Sequence, residues 1–216
     1  MPALALAFRL RSRAQKDLAF AQDLAAAAVY DVFPSAVLHG GTAIWRCYGG
    51  NRFSGDLDFY LPKSAGGRFE LVSRRLESDG LEREKVKRTE RAIFASFRYQ
   101  RSAVSLEAVL RERERSVTRP FETLNGGYFA VRTLPPEGLL AEKAAAYSDR
   151  RKVRDLYDVF SLLPLVKTRD EAVSAVEEML TKYKKPIDEN SLKALVLSGV
   201  APRAEEMKEA IQDWAR

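Results

Sequence analysis

The stretch from His39-Gly40-Gly41-Thr42 to Asp56-Leu57-Asp58 decides the fold of the first half of the chain. Ala36-Val37-Leu38 before it is a short apolar run, which predicts a strand that enters a tight turn at the glycines. Residues 42–48 then predict a short helix, which Gly49-Gly50 ends. Residues 57–61 predict a second strand, with the acidic pair at its start.

Working outward, the same periodicity rules predict the remaining elements. Apolar spacing predicts helices over 10–33 and 68–78, and alternation predicts strands over 93–99, 103–110 and 128–131. Everything after Leu134-Pro135-Pro136 predicts helices, at 136–149, 153–163, 170–183, 189–197 and 203–214. We therefore expect an α+β fold with an α/β domain over 1–134 and a helical domain over 135–216.

Composition restricts the class of protein. Of the 216 residues, 46% are hydrophobic and 31% charged, a globular balance, and no stretch is long and apolar enough to span a membrane. The first ten residues carry their arginines after the apolar run, so we expect no signal peptide and a cytoplasmic protein. The single Cys47 excludes an intramolecular disulfide and a cysteine-built metal site. A net charge of +6 suits a polyanionic partner.

The acidic pair has the spacing of a metal site. On a strand, Asp56 and Asp58 point to the same face, where two carboxylates repel each other unless a cation neutralises them. Their oxygens favour Mg²⁺, with Mn²⁺ as the alternative ion. Glu107 lies in the middle of another predicted strand, where a charge needs a reason, and is the candidate third ligand. The alternative for Asp56 and Asp58 is a solvated strand end, and the alternative for Glu107 is an exposed strand residue.

The glycine pair predicts a nucleotide site beside these carboxylates. Gly40 and Gly41 let the backbone approach a triphosphate, and the Thr42 hydroxyl and the helix N-terminus offer hydrogen bonds to it. Arg52 and Ser54 either contact the nucleotide or only shape the loop before the acidic strand. His39, the only histidine, either acts as a general base or simply ends its strand.

Two blocks of sequence carry a resemblance to a known family. The first runs from Gly40-Gly41-Thr42 to Arg52-Phe53-Ser54-Gly55-Asp56-Leu57-Asp58-Phe59, and the second from Glu142-Lys143-Ala144 through Arg150 to Arg154-Asp155-Leu156-Tyr157-Asp158. The first looks like the DNA polymerase β-type nucleotidyltransferase superfamily. Both together, in this order, resemble the AbiEii/MenT nucleotidyltransferase toxins.

The resemblance implies a Mg²⁺-dependent toxin of a toxin–antitoxin pair, which transfers a nucleotide from an NTP to RNA, with tRNA as the acceptor class. It implies that Asp56 and Asp58 bind the metal and that Thr42 occupies the position of the Ser or Thr that follows the glycines in the family. Lys143 matches the active-site lysine, and Asp155 or Asp158 the late catalytic aspartate; spacing does not decide between them.

The second block also has a physical interpretation of its own. Lys143, Arg150 and Arg154 offer cations to triphosphate oxygens and share one helical face if the helix is continuous. We expect the active site in the cleft between the two halves, with Lys143 acting on the nucleotide and not on folding. The alternative is a structural ion-pair cluster, which would include Arg154, Asp155 and Asp158.

RNA contact is expected near Arg150-Arg151-Lys152, because the charge runs 82–91 and 111–115 mix both signs and predict solvated faces. Two other functions stay open: a nucleotidyltransferase that modifies a protein or small molecule, and a non-catalytic nucleotide-binding protein of the same fold.

Overall fold

The structure is a computed structural model that describes residues 5–112 and 115–216. Two short stretches lie outside the described ranges. They are residues 1–4, at the start of the N-terminal apolar run, and residues 113–114 of the charge run 111–115. The chain divides into two compact units, which are described separately. Unit 1 is Met1–Gly49 with Ser54–Thr133, and unit 2 is Gly50–Phe53 with Leu134–Arg216.

Within the described ranges, unit 1 contains a seven-stranded sheet and four α-helices. The strands are β1 (Val37–His39), β2 (Asp56–Leu61), β3 (Glu82–Arg88), β4 (Ala92–Tyr99), β5 (Ser102–Leu110), β6 (Val117–Glu122) and β7 (Tyr128–Thr133). The helices are α1 (Leu6–Arg9), α2 (Arg13–Val32), α3 (Gly40–Cys47) and α4 (Ala65–Ser78). The strand order is β3-β4-β5-β2-β1-β7-β6, with β2 parallel to β5, β1 parallel to β7 and the other pairs antiparallel.

One face of the sheet is apolar and the other is open over β2, β4 and β5. Alternate residues of these strands are buried, which is the period expected of a sheet covered on one side. α2 contacts β4 and β5, and α4 contacts β3, so these helices cover the apolar face. The buried side chains of the central strands include Leu57, Phe59, Ile93, Phe97, Leu106 and Ala108. The alternating positions on the open face carry the acidic residues.

Unit 2 contains the remaining described helices. They are α5 (Pro136–Arg150), α6 (Val153–Leu162), α7 (Val173–Thr181), α8 (Leu192–Leu195) and α9 (Ala204–Ala215), with short 3₁₀ turns at Leu163–Leu165, Arg169–Glu171 and Glu189–Ser191. α5 packs on α6 and α7, and α9 on α6 and α7. α5 begins with a proline in its first turn and ends before Arg151, whose backbone is left-handed (φ 54°). The helical spacing of apolar residues therefore forms one small core.

The segment Gly50–Phe53 belongs with the helical unit, which the sequence does not predict. The Phe53 amide donates to the Leu195 carbonyl at 2.8 Å, and Arg52 bridges Val196 as an isolated β-pair. The Asn51 side chain donates to the Ser198 carbonyl at 2.7 Å. The α+β fold is as predicted, whereas the domain limits 1–134 and 135–216 stay predictions and do not provide for this segment.

The structure corrects several element predictions. β3 and β6 have no counterpart among the predicted strands, because residues 82–88 are mostly charged and residues 117–122 contain Pro120. α5 and α6 are separate helices, so Lys143 and Arg154 do not share the face of one continuous helix. Cys47 is buried. No helix in the described parts of the chain combines the length and apolarity that crossing a membrane requires.

Candidate active site

The predicted acidic residues lie together on the open face of the sheet in unit 1. Asp56 and Asp58 are two residues apart on β2, and the register pairs Asp58 directly with Glu107 on parallel β5. Register partners project to the same face, so the three carboxylates form one acidic patch, the name used below for Asp56, Asp58 and Glu107. Asp56 and Glu107 are exposed and Asp58 is half-buried.

Like charges within the acidic patch affect each other. Partial burial, followed by the charges of Asp58 and Asp56, raises the pKa of Glu107 above its usual value, although His39 opposes the rise. A bound cation would reduce this repulsion between the carboxylates. Among the residues that the structure describes, no three His, Cys, Asp or Glu side chains are already gathered around one metal position. The strands therefore place the three carboxylates on one face, but their side chains do not converge on one point.

Gly40 lies against the acidic patch. It is the first residue of α3 and has a φ of 71°, a region that residues with a Cβ rarely adopt. A Cβ at this position would lie 2.0 Å from Oδ2 of Asp58. Only glycine fits between the end of β1 and the Asp58 carboxylate. The turn that was predicted to let the backbone approach a phosphate therefore also leaves space for the carboxylate of Asp58.

Thr42 contacts the acidic strand through its hydroxyl, which donates to the Asp56 carbonyl; the side chain is fully buried. In this structure the hydroxyl thus ties α3 to β2, and its predicted hydrogen bond to a triphosphate stays a prediction. Gly41 is also buried, in the first turn of the same helix. The Ser54 carbonyl, just before the acidic strand, accepts a 2.9 Å hydrogen bond from the Gln22 side chain, which fixes the loop.

His39 is adjacent to the acidic patch. It pairs with Asp58 in the antiparallel register of β1 and β2, and its ring stacks on Tyr60 with centroids 4.0 Å apart and planes at 12°. The half-buried histidine therefore does end its strand, as one alternative predicted. Its position beside Asp58 leaves a proton-transfer role as an untested alternative.

Residues of the second block form an ion-pair network in unit 2 together with Arg52 of the first block. The network consists of Arg52, Lys143, Arg150, Asp155 and Asp158. Lys143 Nζ lies 2.9 Å from Asp158 Oδ2 and 3.5 Å from Asp155 Oδ1, so both aspartates on α6 face α5. The side chains of Lys143, Asp155 and Asp158 are 8%, 0% and 1% exposed. The prediction that Lys143 acts on the nucleotide and not on folding omitted this burial, which gives the lysine a structural role in any case.

The two arginines hold one aspartate each. Arg52 Nε and Nη2 donate to the two carboxylate oxygens of Asp158, both at 2.6 Å, and its Nη1 donates to the Phe53 carbonyl. Arg150 makes the matching pair with Asp155 at 2.7 and 2.8 Å. Burial alone would raise the pKa of Asp158, but Arg52 and Lys143 outweigh it and hold the pKa below its usual value.

These contacts bear on three predicted nucleotide ligands. Arg52 uses all three guanidinium nitrogens within unit 2 and is buried, which favours the alternative that it shapes the loop. Arg150 keeps 43% of its side chain exposed, so it has room for a ligand. Arg154 is half-buried and forms no ion pair with any residue that the structure describes. The ion-pair alternative thus holds for Asp155 and Asp158 but not for Arg154.

Unit 1 contains another buried charge pair, which the sequence pattern did not lead us to expect. Arg46 on α3 has no exposed side-chain surface; it pairs with Asp23 and donates to the Glu122 carbonyl at 2.7 Å. Its guanidinium lies over the rings of Trp45 and Phe121. Burial raises the pKa of Asp23 to about 6, against the opposing effect of Arg46. An arginine between apolar residues in Ile44-Trp45-Arg46-Cys47 is the signal that could have indicated it.

Comparison with known proteins decides the family. The family described as "Nucleotidyl transferase AbiEii toxin, Type IV TA system" matches residues 22–216, nearly the whole chain. The chain belongs to the AbiEii family of nucleotidyltransferase toxins. The match includes the acidic patch, the ion-pair network and the turn at Gly40 and Gly41, called the glycine turn below. It confirms the resemblance to the AbiEii/MenT toxins. No curated protein is similar enough to the chain to count as a match.

Solved structures show the same fold for this AbiEii protein. JHP933 from Helicobacter pylori is similar with a TM-score of 0.66 and 20% identity, over 95% of this chain and 92% of that one. MenT4, a nucleotidyltransferase toxin from Mycobacterium tuberculosis H37Rv, is similar with a TM-score of 0.65 and 21% identity, over 98% and 88%. At such identities the similarity establishes the fold alone. The fold is the polymerase β-like one that the sequence predicts.

Proposed function

We propose that this AbiEii protein transfers a nucleoside monophosphate from an NTP to RNA, with tRNA as the acceptor and Mg²⁺ as the metal ion. The observation that carries the proposal is the acidic patch beside Gly40, in which Asp58 is the register partner of Glu107 and Asp56 lies two residues from Asp58 on the same strand. Family membership supports the nucleotidyltransferase activity. A cognate antitoxin and a cytoplasmic location are part of the same proposal.

The acidic patch fits a hard divalent cation. Mg²⁺ binds proteins through one or two carboxylates, keeps several waters and takes further oxygens from substrate phosphates, so it needs no preassembled three-residue group. Asp56 and Asp58 would hold the ion, and Glu107 would complete its shell; Mn²⁺ accepts the same oxygen ligands. The raised pKa of Glu107, due to burial and then to Asp58 and Asp56, supports this assignment. Such an ion polarises the phosphoryl oxygens and neutralises the charge that develops on them.

The start of α3 would receive the triphosphate. Its first amides, at Gly40 and Gly41, are among the helix N-terminal N–H groups that lack a partner within the helix, and the helix dipole favours an anion there. The left-handed backbone of Gly40 keeps this turn directly beside Asp58. Phosphates and carboxylates would then meet around one cation, because both sets of oxygens carry negative charge.

The reaction is an in-line displacement. A hydroxyl oxygen of the acceptor forms a bond to the α-phosphorus of the NTP, and the bond from that phosphorus to the oxygen bridging to the β-phosphate breaks. Pyrophosphate leaves with the electron pair, and the hydroxyl proton is released to solvent. Such chemistry depends on positioning and charge stabilisation and not on a covalent protein intermediate.

The family resemblance supports roles at the active site for Lys143 and for Asp155 or Asp158. Arg150 and Arg154 are proposed for the nucleotide because they offer cations to the triphosphate oxygens. Within unit 2 the lysine is already neutralised by two aspartates, so it would act while remaining part of the ion-pair network. Arg150 has the exposed surface needed to contact a phosphate. Either aspartate still fits the role of the late catalytic aspartate, since both contact Lys143.

A labelling experiment tests the proposal. The purified full chain is incubated with each α-³²P-labelled NTP, Mg²⁺, total RNA and a protein extract, and the products are separated on RNA and protein gels. A labelled tRNA band that disappears in Asp58→Asn is the expected result. Label on protein or on a small molecule would favour the second enzymatic alternative. NTP binding without any transfer would favour the non-catalytic one.

A further inference from the structure

Exposed side chains continue the acidic patch across the sheet. The register places Phe94 of β4 opposite Glu107, and Lys87 of β3 opposite Phe94. One row therefore runs His39, Asp58, Glu107, Phe94, Lys87 across five neighbouring strands. Strands lie about 4.8 Å apart, so Phe94 follows Glu107 by one such step and Lys87 by two. Phe94 is 39% exposed, so one side of its ring is accessible.

Strand β3 sorts its charges between its two faces. Arg83 and Arg88 project toward α4, where both bind Glu70. Lys85 and Lys87 pair with Ser96 and Phe94 and so project to the open face. Both lysines are exposed and form no ion pair with a residue in the described ranges. The open face of β3 therefore carries these two lysines together with two acidic residues, Glu82, which lies opposite Arg98, and Glu84.

One of these acidic residues, Glu84, is already neutralised. Glu84, at the irregularity between Arg83 and Lys85, pairs with Arg98 and accepts a 2.7 Å hydrogen bond from the Ser96 hydroxyl. The strand platform, defined as Phe94 with Lys85 and Lys87, therefore presents one aromatic ring and two positive charges beside the acidic patch. An aromatic ring for a base and cations for phosphates are what single-stranded nucleic acid requires.

We propose that the strand platform binds the single-stranded end of the RNA acceptor and positions its hydroxyl beside Glu107. This inference rests on the proposed function. The glycine turn that would receive the triphosphate lies on the β1 side of Asp58, so the acceptor approaches from the opposite side, over β4 and β3. Phe94 stacks on a nucleobase, and Lys85 and Lys87 bind the phosphates next to it. The RNA contact expected near Arg150-Arg151-Lys152 is not needed for this placement.

Binding and catalysis are measured separately to test it. Fluorescence anisotropy gives the Kd of the full chain for a 12-nucleotide, fluorescein-labelled single-stranded RNA over a range of salt concentrations. Phe94→Leu and the double variant Lys85→Ala/Lys87→Ala are compared with wild type, and Phe94→Tyr keeps a ring. Arg88→Ala is the matched control, because it removes a cation from the same strand but from the face that contacts α4.

The two kinds of residue give different signatures. Phe94→Leu should weaken binding at least about fivefold with an unchanged salt slope, and Phe94→Tyr should bind like wild type. The double lysine variant should reduce the slope of log K against log salt by about 1.4. Arg88→Ala should change neither quantity. Melting curves confirm that each variant is folded.

The outcomes separate this inference from the proposed function. One outcome would overturn the inference while the proposed function stands: the wild-type protein labels RNA, but the platform variants keep the wild-type Kd for single-stranded RNA and the wild-type KM for the RNA acceptor. Absence of RNA labelling with intact binding of Mg²⁺ and NTP would remove the function itself, and label on protein instead of RNA would remove both. A higher KM for RNA with an unchanged KM for NTP in the platform variants is the supporting result.

Discussion

Gly40 and Asp58 are in such close contact that a single added methyl group would lie 2.0 Å from the Asp58 carboxylate. The turn after β1 and the acidic residue of β2 are therefore one structural unit, although 17 residues separate them in the chain. Gly40 is held at φ 71°. Both the backbone conformation and the missing side chain matter at this position, and the chain offers a way to separate the two effects.

We predict that Gly40→Ala reduces the rate of nucleotide transfer at least about tenfold, because Asp58 must move away from the new methyl group. The free energy of unfolding should also fall, by about 1–3 kcal/mol for the left-handed backbone alone. Gly49→Ala is the matched control, since Gly49 has a φ of 70° but nothing within 4 Å of its added Cβ. Equal transfer rates in the two variants would mean that the Gly40–Asp58 contact is irrelevant to the activity.

Removal of a carboxylate from the acidic patch should affect activity and not folding. Asp56→Asn and Asp58→Asn should each abolish transfer, while the melting temperature without Mg²⁺ stays constant or rises slightly because repulsion within the acidic patch decreases. Glu107→Gln should act in the same direction. Asp31→Asn removes an exposed carboxylate outside the acidic patch, which pairs with Arg75 at 3.6 Å, and it should leave transfer unchanged. Near-normal turnover in either β2 variant would show that the metal site lies elsewhere.

The strands that the sequence failed to predict are the two edges of the sheet. β3 forms one edge and meets α4 through ion pairs of Arg83 and Arg88, so its covered face has no apolar period. β6 forms the other edge and contains Pro120, which a central strand would not tolerate. Central strands such as β5 alternate clearly because one face is buried, and they were predicted.

The site shows the same division between local and nonlocal information. The spacing of Asp56 and Asp58 is a local property, so their shared face follows from the sequence. The pairing of Asp58 with Glu107 depends on the parallel register of β2 and β5, which local spacing does not encode. The burial of Lys143 is also nonlocal, because its partners lie on another helix. Its own helix has the ordinary pattern of a surface lysine.

The ion-pair network predicts a specific pH dependence of stability. At pH 7, Asp158→Asn should lower the free energy of unfolding by about 3–5 kcal/mol, because it leaves Arg52 and Lys143 buried with one carboxylate fewer. Burial alone would raise the pKa of Asp158, but Arg52 and Lys143 hold it below the unfolded value of 3.8. The contribution of Asp158 to the free energy of unfolding is therefore complete above pH 3.8 and is lost as the pH falls through the lower pKa of the folded state. Urea unfolding should therefore show the wild-type advantage shrinking only below pH 3.8. An advantage that disappears already near pH 6 would contradict this assignment.

Binding of nucleotide should raise the melting temperature. At an NTP concentration about a hundred times Kd, with Mg²⁺, the native state gains roughly 2.7 kcal/mol, which corresponds to about 5–10 °C for a chain of this size. The shift should require the metal and disappear in Asp58→Asn, whereas Asp31→Asn should retain it. Differential scanning fluorimetry with each ribonucleotide measures it. No shift with any NTP at millimolar concentration would contradict the assignment of the nucleotide site.

Lys143 should prove to be both structural and functional. Lys143→Ala leaves two buried aspartates without their shared cation, but Arg52 and Arg150 remain, so we expect a loss of about 1–3 kcal/mol in unfolding free energy. Lys143→Met keeps the stem of the side chain and should isolate the effect of the charge. If the family role holds, transfer measured well below the melting temperature should fall at least about tenfold in both variants, with only partial recovery in Lys143→Arg.

Lys182→Ala removes a cation that is 62% exposed and pairs only with Glu178 among the described residues, so it controls for the loss of positive charge. It should alter neither stability nor transfer beyond the small effect of a surface ion pair. Destabilised Lys143 variants that keep the wild-type transfer rate and NTP affinity at low temperature would make Lys143 a purely structural residue. The roles carried over to Asp155 and Asp158 would then lose their support as well, because both aspartates contact Lys143 and depend on the same block of sequence.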